Sequence, residues 1–390
     1  MTRYLRYWLI TALTLLVTAM VFAGGAWMWA SLLFVVTVIT VGDGALGDDT
    51  DEAPFRHPWL VDLPLYLALP TLALLSLAWL WHLAPGDLLG LAALTHRDPA
   101  VLHGADRWWH LVGGGLAVGL LYGGVGTVAA HELVHRTWSP FALTLGRWLL
   151  AFTSDAAFSI EHVYGHHRHV ATSADPATSR RGESVYAFVL RSALGGWRNA
   201  WRIERDRLSR LGHPTLSWRN RALRGWAMSG VIAALFGLAA GPLGVLAFAL
   251  VSLYGKCWLE LVNYVEHYGL VRVAGAPVEP RHSWNCTRRV STYLLMNLTR
   301  HSHHHAQGEV PFYALRANAD APTLPAGYLS MALLALAPPL WHRVMTPRVL
   351  EWDRRWSSPA ERALIDEANR RSGLEAFSRQ APTPAHAAAV

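Results

Sequence analysis

Cysteine and lysine are almost missing from this chain: it has two cysteines, Cys257 and Cys286, and a single lysine, Lys256. Two such cysteines build neither a disulfide framework nor the paired CxxC sites of an iron–sulfur or zinc domain. Any one-electron donor is therefore expected to be a separate protein. Charge of either sign is thin, at 16% of residues against 52% hydrophobic, a balance that argues against soluble domains and for one integral-membrane domain. The net charge of +7 rests on arginine, so the basic surface carries permanently ionised, fork-shaped donors. Nucleic acid is the first partner such a charge suggests, yet no basic and aromatic module stands apart from the apolar segments. Basic loops obeying the positive-inside rule explain it instead, and no nucleic-acid partner is expected.

What is abundant is apolar length. Residues 8–41 are apolar apart from Thr, Ser and a central Gly24-Gly25. Arg3 and Arg6 before this run resemble the start of a signal peptide, but no cleavage site follows, so it is expected to stay as membrane anchor. As one helix it would reach roughly 50 Å, too long for a bilayer core of about 30 Å, and two spans turning at the glycines fit better. An acidic loop over residues 42–58 precedes a span at 59–83, and a Gly-rich span follows at 108–130. Arginine then recurs from Arg136 to Arg224, which marks the cytoplasmic face. With the N-terminus inside, an even number of spans must precede His131, and this parity also favours the early hairpin. A second hairpin, 226–240 and 243–262, turns at Gly241-Pro242 and completes six spans.

The expected architecture is thus an all-α integral membrane protein of six spans (8–23, 26–41, 59–83, 108–130, 226–240, 243–262) with cytoplasmic histidine-rich regions at 131–225 and 263–327. Residues 328–342 are apolar but short, and are read as a buried or interfacial helix. The membrane domain is placed at 1–350, followed by a charged helix from Glu351 to Arg371 and a disordered APTPAHAAAV tail. The many tryptophans, Trp27 and Trp29 among them, are read as an aromatic belt.

The histidines carry the chemistry. EHVYGHHRH places His162, His166 and His167 so that an i, i+4 pair and an adjacent ring lie along one side of a helix. HELVH supplies His131 and His135 one turn apart, Glu266-His267 follows, and HSHHH adds His301, His304 and His305. HELVH also matches the zinc-peptidase signature, with Glu132 as base. A peptidase needs one further ligand and an open water position, which leaves the other imidazoles unexplained. Nine clustered rings suit two irons instead, with four or five nitrogens each and positions open for oxygen. Glu132, Glu161, Asp175, Glu266 and Asn263 are candidates for orienting these rings from behind. Lys256, Glu260, Asn263 and His267 share one helical face, the first two as a structural ion pair or a functional row. His303 is expected to point away from its neighbours.

HELVHR, EHVYGHHRHVATSADPATSRRGES, NYVEHYGLVR and RHSHHHA, with the spacing between them, resemble the membrane alkane 1-monooxygenase family of the fatty-acid desaturase and hydroxylase superfamily, over about Trp108 to Val344. The resemblance implies a six-span bacterial inner-membrane enzyme with its site on the cytoplasmic side and two non-haem irons held by the nine histidines named above. It implies terminal hydroxylation of medium- or long-chain alkanes drawn from the bilayer, with O2 as co-substrate. Electrons would come from NAD(P)H through rubredoxin reductase and rubredoxin, the acidic carrier docking on the arginine-rich face. The alternatives are hydroxylation of a methyl group on an aromatic ring such as xylene, then fatty-acid desaturation, then zinc peptidase chemistry. Two features depart from the family pattern: His303 stands where an acidic residue is usual, and QGEVPFYALR replaces a basic, aromatic stretch.

Overall fold

The computed structural model describes residues 2–379, and among these it is built of helices. The first two, α1 (Leu9–Ala23) and α2 (Ala26–Ala45), form the hairpin expected from the paired glycines. Gly24 and Gly25 take φ values of 74° and 52°, where a Cβ would clash with its own backbone. The turn is fastened from outside: Asp106 accepts from Gly25 N at 2.9 Å and holds His82 Nδ1 at 2.6 Å. Next come α3 (Trp59–Leu83) and α4 (Trp108–His135). The short α5 (Pro140–Ala151) starts on a Ser139 cap that accepts from Ala142 N. Beyond it lie α6 (Val185–Arg210) and α7 (Arg221–His267).

Among the described residues five helices are long and apolar enough to cross a membrane, and α7 is one of them at 47 residues. It is not one rod. Ala240 and Gly241 leave helical geometry just before Pro242, and the chain doubles back so that Phe236 meets Phe248 at 5.4 Å. Proline removes a backbone donor and crowds the preceding turn, while Gly241 supplies φ 62°, so the break falls where the sequence placed it. The two limbs of α7 are thus a hairpin. Its second limb passes close to α4, where a Cβ on Gly123 would stand 2.6 Å from the Gly255 carbonyl.

Three expectations need correcting. The stretch 42–58 is not a free acidic loop: α2 continues to Ala45, Asp43 is buried and accepts from Ser291 N at 2.8 Å, and Asp49 meets Arg300 at 3.1 Å and Arg6 at 3.3 Å. Burying these carboxylates is tolerable because each has a donor or a guanidinium beside it. The charged helix from Glu351 to Arg371 is two pieces: Glu351 lies in α10 (Pro338–Arg355), which follows the short α8 (His301–Ala306) and α9 (Tyr328–Ala335), and α11 (Arg362–Arg371) is separate. Pro359 disfavours helix at Ser358, which instead caps the next turn together with Glu361. A boundary at residue 350 also cuts through α10. Trp352, Ile365 and Phe377 pack in one core with Tyr264, Tyr268 and Trp341, and Arg181 clamps Asp353 (2.6 and 2.7 Å) and Asn369 (2.6 Å). The APTPAHAAAV tail lies outside the described residues.

Candidate metal centre

Nine imidazoles converge at the end of α4 and the second limb of α7, and they sort into two groups. The first holds His131, His135, His162, His167 and His304; the second holds His166, His267, His301 and His305. In each, one nitrogen per ring lies within 4.8 Å of every other. The groups touch, with the His167 and His305 rings stacked at 4.5 Å.

Sorting follows from local helix geometry. His131 and His135 sit one α-turn apart in α4 and go to the same group, as do His301 and His305 in α8. The run His162–His166 is instead a π-helical turn between short α-helical pieces Phe158–Glu161 and His167–His169. Its wider pitch aligns residues five apart, so His162 Nε2 faces His167 Nε2 at 3.0 Å, while His166 swings to the second group. The expectation that His162, His166 and His167 share one side is therefore wrong. A π turn at such a place is a frequent mark of a functional site. His303 belongs to neither group, as its spacing implied.

The donor chemistry fits cations. Nε2 atoms face one another at 3.1 Å (His135 to His162), 3.1 Å (His167 to His304), 3.3 Å (His166 to His305) and 2.9 Å (His301 to His305). Burial, helped by neighbouring imidazoles, holds His162, His167, His301, His304 and His305 well below the ordinary histidine value, so these rings are neutral. The Nε2 of a neutral ring carries either one proton or one lone pair, so His162 and His167, whose Nε2 atoms each face two others, cannot hydrogen-bond fully to both, and a positive ion among them satisfies every lone pair. His166 differs. Burial pulls it down, but Asp175 overrides this, raising it, and the carboxylate takes His166 Nδ1 at 2.9 Å. Asp175 also accepts from the Thr178 hydroxyl at 2.6 Å. The proton is thereby fixed on Nδ1 and the Nε2 lone pair is turned to the group.

Asp175 is where a ring-orienting carboxylate was expected; the other candidates do something else. Glu132 is bound by Arg136 (2.9 and 3.2 Å), itself bidentate to Asp62. It is not free to act as the base of a peptidase. Glu161 accepts from Asn199 at 3.0 Å, and Asn263 donates toward Glu260 at 3.4 Å. Glu266 reaches the opposite side from that expected: its Oε2 lies 3.3 Å from His301 Nε2, at the ion-facing nitrogen, and its buried Oε1 has no partner among the described residues. Lys256 does form an ion pair with Glu260 at 2.6 Å, and also with Asp155 at 2.6 Å.

Sequence reasoning had the substrate entering from the bilayer but named none of the residues that line the apolar pocket. It lies between α1, α2, α4, α7 and α9, lined by Ile10, Val35, Leu120, Trp258, Val262 and Tyr328. Val262 is one turn before Glu266, and the Tyr328 hydroxyl lies beside that carboxylate. Through Tyr328 and Glu266 the pocket wall is thus linked to His301 of the second histidine group. Nor was Phe158 noted, although its ring stacks on His162 at 4.4 Å; its i, i+4 spacing to His162 was the available signal. The arginine-rich face is less open than expected, since Arg136, Arg181, Arg191, Arg207 and Arg221 each hold an acidic partner.

Residues 106–335 match the family model described as fatty acid desaturase. The chain is 37% identical over 333 residues to alkane 1-monooxygenase 2 of Pseudomonas aeruginosa, covering 83% of this chain and 84% of that protein. It is 32% identical to alkane 1-monooxygenase 2 of Alcanivorax borkumensis, covering 83% of each. Over 372 residues it is 31% identical to XylM, the xylene/toluene monooxygenase hydroxylase component of Pseudomonas putida, covering 95% of each.

Proposed function

Since the chain belongs to the alkane 1-monooxygenase family within the fatty acid desaturase superfamily, we propose that it hydroxylates the terminal methyl group of medium- and long-chain alkanes to 1-alkanols, with O2 as co-substrate. The observation that carries this reading is the pairing of two groups of buried imidazoles with an apolar pocket whose Tyr328 stands beside Glu266 of the second group. An alkane offers no polar handle, so only a dry, shaped channel can bind it.

His131, His135, His162, His167 and His304 would hold one iron and His166, His267, His301 and His305 the other. When bound, the irons supply the oxygen activation that attack on a saturated C–H bond requires. The protein's own part is positional. Asp175 fixes the His166 tautomer, the π turn aims His162 and His167 together, and Trp258, Val262 and Tyr328 line the apolar pocket. Overall, RH, O2, two electrons and two protons become ROH and water.

The electrons come from a separate rubredoxin, reduced by NAD(P)H through its reductase. The lack of any cysteine cluster supports an external carrier, as both cysteines are free. The proposed topology, with the limbs of α7 taken as separate spans, is six spans across a bacterial inner membrane with the histidine layer in the cytoplasm, a reading supported by the positive-inside rule. A second reading, hydroxylation of a methyl group on an aromatic ring, is supported by the XylM match, which covers more of the chain than the others reported.

The test is product analysis by mass spectrometry of membranes containing the protein, rubredoxin and its reductase, fed octane, hexadecane and p-xylene together. Primary alkanols are expected. Benzylic alcohol alone would move the protein to the aromatic-methyl reading, and an olefin would make it a desaturase.

A further inference from the structure

Away from the metal centre, guanidinium groups crowd the junction of α6 and α7. Arg207, Arg219, Arg221 and Arg224 line a surface depression of about 290 Å³ with Leu211, His213 and Trp218. Arg147 of α5 reaches in from beneath, donating to the Arg221 carbonyl. Among these residues the available counter-charge is Glu204, fully buried, which accepts from Arg207 Nε at 2.8 Å and from Arg221 Nε at 2.7 Å. Arg147 and Arg224 have no acidic partner among the described residues, and the Nε of each is buried with no hydrogen bond. Burial, with Arg224 and Arg221 alongside, holds the Arg147 guanidinium down at about 10. The cluster is therefore short of negative charge, and its unused donors are already desolvated.

Its place in the fold says what supplies that charge. The first limb of α7 starts at Arg221, and its exposed Val231, Leu235 and Leu238 lie only a few turns beyond, on the part of the chain read as spanning the bilayer. The loop before it exposes Leu216 and Trp218, with Trp197, Trp201 and Trp226 stacked nearby at 5.6–5.8 Å. Arginine and tryptophan at the first turn of an apolar helix mark the headgroup level of a membrane. We propose that this junction binds the phosphate of an anionic phospholipid, whose acyl chains lie along the outer face of the first limb of α7. A phospholipid meets both demands at once: its phosphate satisfies the forked donors bidentately, and its chains cover the leucines. A soluble anion would satisfy only the first.

The test uses the full chain in mixed micelles with equal phosphatidylglycerol and phosphatidylcholine, retained lipid being read by native mass spectrometry. Phosphatidylglycerol should be retained over phosphatidylcholine and should raise the thermal midpoint. Millimolar inorganic phosphate should neither displace it nor match that rise. The double variant Arg147→Gln/Arg224→Gln should weaken retention roughly thirtyfold, and the exposed single variant Arg219→Gln roughly fivefold, on the usual contribution of one arginine near an anionic surface. Metal content should stay unchanged in both. Should the double variant fold poorly, Arg219→Gln decides alone. Equal retention of the two lipids, or retention indifferent to Arg219→Gln, overturns the proposal. So does full protection by inorganic phosphate with no lipid held, which would assign the cluster to a soluble anion.

Discussion

The two histidine groups are built from the same side chain and share the π turn and α8, yet differ in the carboxylates around their rings. The five-ring group draws on α4, the π turn with the helical piece after it, and α8; among the described residues no carboxylate is paired with its rings, and Glu132, beside His131 in sequence, is held by Arg136. The four-ring group has two: Asp175 behind His166, and Glu266 at the ion-facing side of His301. Tyr328, which lines the apolar pocket, also stands beside Glu266 of this group. Imidazole alone gives a cation site its geometry, whereas added carboxylate tunes the ligand field and the charge. The difference points to a division of labour, with the four-ring group nearer the substrate.

The sharpest way to break that comparison is to remove one ring from each group. His304→Ala and His301→Ala should each lower alkane hydroxylation by more than about a hundredfold, beyond the 10–100-fold typical of losing only an outer partner. Rate measurement on matched membranes checks this, and a peptidase would be indifferent to His304. The next largest effect should come from Asp175→Asn. It trades one carboxylate oxygen for an NH2 donor and removes the charge that fixes the His166 tautomer, so metal binding at the four-ring group should weaken roughly 10–100-fold while the five-ring group is untouched. Chelator competition, read as two separate dissociation phases, would show it. A uniform weakening of both would mean that the groups are one unit.

How much of this was legible beforehand depends on whether one helical period set the geometry. His131 with His135 and His301 with His305 stay paired because each pair follows an α-helical period, i and i+4, whereas His304, read together with His301 and His305, goes to the other group. EHVYGHH misled, because nothing in those letters announces a π turn, and the wider turn exchanges the partners of His162. Paired glycines and Gly241-Pro242 gave away both hairpins, since each marks a backbone geometry that few residues can adopt. The apolar pocket was illegible because, in a chain with 52% hydrophobic residues, pocket, core and lipid-facing side chains look alike. The internal pairing of the arginines was hidden for another reason: partners such as Arg181 and Asp353 are 172 residues apart.

Acid should separate metal-loaded from metal-free protein. Five of the rings, His162, His167, His301, His304 and His305, titrate well below the 6.5 of a free histidine. Below pH 6.5 the unfolded chain binds those protons and the folded one does not, so stability falls as pH drops through that value. His166 works the other way, since its raised value adds stability at low pH that is lost as pH climbs, but it is one ring against five. Metal-stripped protein should therefore melt at progressively lower temperature from pH 7.5 toward about 5.5, and bound metal should suppress the trend. A melting point that rises on acidification would contradict the neutral-ring picture. The smallest effect is expected at the pocket wall. Trp258→Ala should leave metal content alone and shift preference toward longer or bulkier substrates by about tenfold or less, measured as the ratio of octane to hexadecane turnover.

The most direct measurement is metal stoichiometry by elemental analysis of purified protein, wild type beside His304→Ala and His301→Ala. Two irons per chain in the wild type and one in each variant are expected, each variant emptying only its own group. One metal per chain in the wild type, or zinc in place of iron, would contradict the division into two iron-holding groups.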